Sequence, residues 1–118
     1  MMSGIRFEAG EILLVTIQFA GQEVSKTRPS LVISKFSMNP AHDVFIALAI
    51  TSNPQNDPYM IKIMDSDILQ GSLVAPSQVI CNHIFTLQKN DVTKSIGKVR
   101  PEFFQKIKQI LKTDILEI

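Results

Sequence analysis

A chain of 118 residues, 45% hydrophobic and 19% charged, has the length of one compact domain over 1–118 and is too apolar to stay disordered. A formal net charge of +1 excludes nucleic-acid binding by bulk electrostatics, so any RNA site must be local, and the single cysteine, Cys81, excludes an internal disulfide. Only His42 and His83 accompany that cysteine, which gives no zinc spacing. No apolar run approaches the ~20 residues that span a bilayer, and residues 1–10 lack a secretory pattern, so the expected setting is the cytoplasm, with no metal or other cofactor.

Along the chain, Leu13, Val15, Ile17 and Phe19 recur at every second position of residues 11–19, with Thr16 and Gln18 on the other face, which is the period of a half-buried strand. Residues 21–27 are polar and aperiodic, and Pro29 fixes the chain as it enters a second strand at 30–34. The run from Val44 to Ile50 is apolar on both faces and stops at Thr51, Ser52, Asn53 and Pro54, as a central strand ending in a loop does. Residues 53–58 favour turns, 59–63 read as a short strand, and 65–70, closed by Gly71, read as a single helical turn. Residues 72–75, 77–80 and 83–88 read as further short strands, interrupted at Pro76 and bulged near Asn82. Many short strands make a mainly β chain that closes into a small barrel.

From Pro101 the period changes. Phe103, Phe104, Ile107, Ile110, Leu111 and Ile115 share one helical stripe, with Lys106, Lys108 and Lys112 largely off it. Pro101 suits a first helical turn, and Glu102 suits its positive end. The chain therefore ends in an amphipathic helix packed on the barrel.

The order of these features resembles the MazF/PemK toxin family along nearly the whole chain. The likeness starts at Gly10-Glu11-Ile12, passes Gly21 and Glu23, and is most specific at Lys26-Thr27-Arg28-Pro29-Ser30-Leu31-Val32-Ile33-Ser34, an Arg-Pro pair followed by an apolar strand. It continues through Ile50-Thr51-Ser52, Gly71-Ser72-Leu73, Pro76-Ser77, Ile84-Phe85-Thr86-Leu87 and Ile96-Gly97-Lys98-Val99. The resemblance implies an SH3-like barrel of the MazF/CcdB kind, a homodimer, and metal-independent cleavage of single-stranded RNA in the dimer groove unless the tail of a cognate antitoxin protein fills it. It also implies Arg28 and Thr51 as catalytic residues, with Glu23 helping to form the site, and Lys26, Ser52, Ser77 and His83 near the RNA. Many relatives carry Gln where His83 stands and Arg where Phe85 stands, so the way this chain grips phosphates differs there.

The chemistry asked of these residues is modest, because RNA brings its own nucleophile in the 2′-hydroxyl. The protein must align that hydroxyl, stabilise charge on the phosphate oxygens and move protons. The guanidinium of Arg28 offers a fixed fork of donors for phosphate, and Thr51 offers a hydroxyl donor; Glu23 either relays a proton or orients Arg28. Taken without the resemblance, Arg28 is a solvated loop charge, Thr51 a satisfied strand-end residue, Cys81 a small packed hydrophobe, and the three helix lysines a wet face. Two further functions fit the same barrel: a gyrase-binding toxin resembling those of the CcdB type, and a binding module without activity.

Overall fold

The computed structural model describes residues 7–17, 26–35 and 44–118. Seven strands occur among them: β1 (Glu11–Ile17), β2 (Lys26–Val32), β3 (Val44–Thr51), β4 (Met60–Ile63), β5 (Ile68–Gly71), β6 (Ser77–Gln88) and β7 (Val92–Val99), followed by helix α1 (Pro101–Ile110). The strands pair antiparallel in one sheet, in the order β4-β6-β3-β2-β1-β7-β5, and the sheet curls into a half-barrel.

The apolar run of β3 is explained by its central position, since both of its faces are covered. On one face Ile12, Leu31, Leu48, Ile50, Val79 and Val99 meet Phe103, Ile107 and Leu111 of the helix. On the other, Leu13, Val15 and Val32 meet Phe45, Ala47 and Leu87 in a second cluster. Successive strand residues thus feed two separate cores, as the two-residue strand period requires. Pro101 occupies the first turn of α1, after Arg100 in an extended conformation, and Phe103, Ile107 and Leu111 lie four residues apart on the buried stripe. The last turn, Leu111–Ile115, widens so that the Leu116 N–H donates to the Leu111 carbonyl at 2.7 Å.

Several sequence expectations need correction. β2 starts at Lys26 rather than at 30, so Arg28 and Pro29 belong to a strand and not to a loop. The helical turn expected at 65–70 is confined to the 3-10 turn Asp65–Asp67, whose Asp67 carboxylate accepts the Met64 N–H at 2.8 Å; the next four residues are β5. Residues 72–75 are not a strand: the Ser72 N–H still donates to the Ile96 carbonyl of β7 at 3.3 Å, but the chain then bends away and Val74 is fully exposed. The strands expected at 77–80 and 83–88 are one strand, β6, with an irregularity between them. β7 was not expected as a strand, since Thr93, Lys94 and Ser95 are all exposed and break the apolar alternation. Gln18, Phe19, Glu23 and His42 lie outside the described residues.

Candidate active site

The site begins with a proline. β2 pairs with β3 only at Ser30↔Ala49, Leu31↔Leu48 and Val32↔Ala47, whereas its pairing with β1 runs on to Ile17↔Lys26. Pro29 has no N–H to give to a ladder, so it sits where β2 has become an edge on the β3 side. Carried two residues further, the same register would set Arg28 level with Thr51. Instead the two strands part there, and a cavity of about 160 Å³ opens, lined by Arg28, Pro29, Ala49, Thr51, His83 and Phe85 among others.

His83 reaches this cavity through a bulge. Leu48 and Ala49 are neighbours on β3, but their partners on β6 are Ile84 and Ile80, which leaves Cys81, Asn82 and His83 as extra residues. The sequence placed a bulge at this point, and bulges often re-aim side chains beside functional sites. Cys81 turns into the main core, where burial pushes its thiol up to about 11, so it stays protonated at neutral pH and serves packing. His83 is exposed, and its ring lies 4.8 Å from that of the half-buried Phe85, tilted by 33°.

Thr51 also faces a second cavity, of about 210 Å³, which it shares with Ser52, Pro54, Lys62, Ser77 and Gln78. Both volumes fall below the ~300–1,000 Å³ of ordinary small-molecule pockets, and the two meet at Thr51, as an open path for an extended chain would. The Thr51 Oγ1 accepts the Asn53 N–H at 3.1 Å. Among the described residues that hydroxyl donates to no acceptor. Gln78 holds the loop that follows: its Oε1 accepts the Gln55 N–H at 3.1 Å, and its Nε2 donates to the Gln55 carbonyl at 3.2 Å.

The residues expected at the site therefore divide. Arg28, Thr51 and His83 line one cavity, and Ser52 and Ser77 line the next. Ser77 is buried, and its hydroxyl donates to the Ala75 carbonyl at 2.9 Å, so it can only accept from a substrate. Lys26 is exposed two residues before Arg28 but lines neither cavity. Lys62 and Gln78 are additions that sequence reasoning missed; their signal lay in strand register, which the residues alone do not display. None of the described residues lining the two cavities is acidic, so a chain of net charge +1 has a locally basic cleft. No three His, Cys, Asp or Glu side chains cluster as metal ligands among the described residues.

A curled antiparallel sheet closed by a C-terminal helix is the fold of solved MazF structures. MazF from Deinococcus radiodurans superposes with a TM-score of 0.76 at 18% identity, covering 97% of this chain and 99% of that one. An endoribonuclease from mycobacterial species gives 0.72 at 21% identity, covering 92% and 90%. A mycobacterial endoribonuclease in complex with its cognate antitoxin gives 0.73 at 22% identity, covering 94% and 95%. No curated protein matches the sequence. The family is settled by sequence: the model of the PemK-like, MazF-like toxin of type II toxin-antitoxin systems matches residues 8–114, and the chain belongs to that family.

Proposed function

We propose that this chain is a single toxin domain that cleaves single-stranded RNA without a metal ion, and that it is held in check by a cognate antitoxin. The observation that carries this reading is the end of β2–β3 pairing at Ser30, beyond which Arg28 and Thr51 line one cavity that has no acidic residue among its described lining. In the proposed reaction the 2′-hydroxyl attacks the neighbouring phosphorus and loses its proton. The bond to the 5′-oxygen breaks, and that oxygen takes up a proton, leaving a 2′,3′-cyclic phosphate and a 5′-hydroxyl. Arg28 stabilises the charge growing on the phosphate oxygens, and Thr51 donates its free hydroxyl hydrogen to the same group. Glu23 keeps its two alternative roles, proton relay or orientation of Arg28. Ser52 and His83 would contact flanking nucleotides.

The antitoxin follows from family membership and from solved complexes of similar fold, whose proteins were captured with their antitoxins. A flexible acidic tail suits a shallow basic cleft. Pull-down from the native host should recover a small acidic protein that protects Arg28 from modification, and recovery of none would count against it.

Two assays run side by side test the activity: cleavage of a mixed-sequence RNA in EDTA, and inhibition of gyrase supercoiling. Cleavage without gyrase inhibition is the expected result. Gyrase inhibition without cleavage would move the reading to a CcdB-like binder, and neither would leave an inactive binding module.

A further inference from the structure

Register ties Lys62 to Thr51 through the strand between them. Gln78 of β6 is the partner of Thr51 on β3 and also of Lys62 on β4. Directly paired residues of an antiparallel sheet project to the same face, so Thr51, Gln78 and Lys62 form one cross-strand row. Two strand spacings separate its ends by about 10 Å. Arg28 lies beyond Thr51 across the parting of β2 and β3. The row thus has a cation at each end, with the candidate reacting group nearer to Arg28.

Lys62 is exposed, and among the described residues it has no acidic partner. Its side chain lines the cavity that also holds Thr51, Ser52 and Ser77. Gln78, between the two ends, is occupied on both amide atoms by Gln55 and serves to position the loop rather than to bind. An extended strand whose scissile phosphate sits between Arg28 and Thr51 would continue over Gln78 and bring its next phosphate to Lys62.

We propose that Lys62 binds the phosphate adjacent to the scissile one, which directs the RNA across the sheet along the row Arg28, Thr51, Gln78, Lys62. This rests on the ribonuclease reading above. Lys62 stands on an edge strand, where lysine also discourages pairing between molecules. That purely structural role would leave RNA kinetics untouched, so kinetics separate the two.

The test uses the full chain, a short RNA with one cut site, and Lys62→Gln beside Lys62→Arg. For Lys62→Gln, KM should rise about three- to fivefold with kcat nearly unchanged, as loss of uniform binding predicts. The slope of log(kcat/KM) against log salt should become shallower by about 0.7, the value for one phosphate of a single strand. Lys62→Arg should restore both. Replacing one phosphate flanking the cut by an uncharged methylphosphonate should slow the wild type, and on that substrate Lys62→Gln should cost nothing more. An unchanged KM and salt slope, or a penalty that persists with either flanking linkage neutral, would overturn the assignment while leaving the ribonuclease reading standing. Failure of the wild type to cut any RNA would overturn both.

Discussion

At the scale of single residues, Thr51 is constrained before any substrate arrives. Its oxygen accepts the Asn53 N–H, which orients the hydroxyl and frees the hydrogen to point elsewhere. The bland reading of Thr51 as a satisfied strand end is therefore half of the functional one. Arg28 differs: it is exposed on a strand and makes no hydrogen bond or ion pair among the described residues, so its removal should cost chemistry more than stability. Arg28→Ala is expected to lower the cleavage rate by about a hundredfold, equivalent to ~3 kcal/mol of transition-state stabilisation, with a melting temperature near that of wild type. Arg28→Lys should recover little, since it loses the planar fork. Thr51→Val keeps the branched shape and loses the hydroxyl, whereas Thr51→Ser keeps the hydroxyl and should stay active. If both groups serve one phosphate, the double variant Arg28→Ala/Thr51→Val should lose far less than the product of the single losses. Single-turnover rates together with thermal melts decide all of these.

At the scale of elements, the β5–β7 pairing is the most demanding local arrangement. Gly71 has a φ of +77° and faces Gly97, and a Cβ on Gly71 would run into the Ile96 carbonyl. Gly71→Ala is therefore expected to destabilise the fold by about 2 kcal/mol or more. Because this edge lies three strands from β2, kcat should be kept at temperatures where the variant is folded. Denaturant midpoints would check the first part, and full stability of Gly71→Ala would contradict it. The sequence signalled Gly71 as an end point but assigned it to a helical turn, because the local pattern of 65–70 has no alternation to reveal an edge strand. The elements legible from residues alone were β1, β3 and α1, whose side chains are buried in a regular period, together with β4 and most of β6, which were bounded by turn residues. The cleft was legible only in part. The Arg-Pro pair and Thr51 stood out as a motif, and the bulge near Asn82 was foreseen. The early start of β2 was not, since Lys26, Thr27 and Arg28 are all exposed and carry no apolar signal. Lys62 escaped notice because its relation to Thr51 passes through Gln78 of β6, which is 16 residues from Lys62 and 27 from Thr51 in sequence.

At the scale of the molecule, the two cores are of unequal size, and large apolar side chains remain on the surface: Met64, Leu69, Val74, Ile84, Leu116 and Ile118. A small barrel with this surplus gains by covering it with a second copy, so a homodimer is expected. Light scattering at micromolar concentration should report twice the 13.2 kDa chain mass, and a monomer at every concentration would contradict it. Such a dimer would bring two basic clefts together without any large net charge, so RNA affinity should come from a few local contacts and fall with salt. The central claim is that the substrate supplies the nucleophile and that Arg28 and Thr51 supply alignment and charge stabilisation. The most direct measurement compares two oligonucleotides in EDTA: an all-ribose strand containing the cut site, and the same strand with one 2′-deoxynucleotide on the 5′ side of the cut. Mass spectrometry then identifies the product ends. The first should be cut to a 2′,3′-cyclic phosphate and a 5′-hydroxyl while the second stays intact. Cleavage of the deoxy-substituted strand, 5′-phosphate products, or dependence on added magnesium would contradict it.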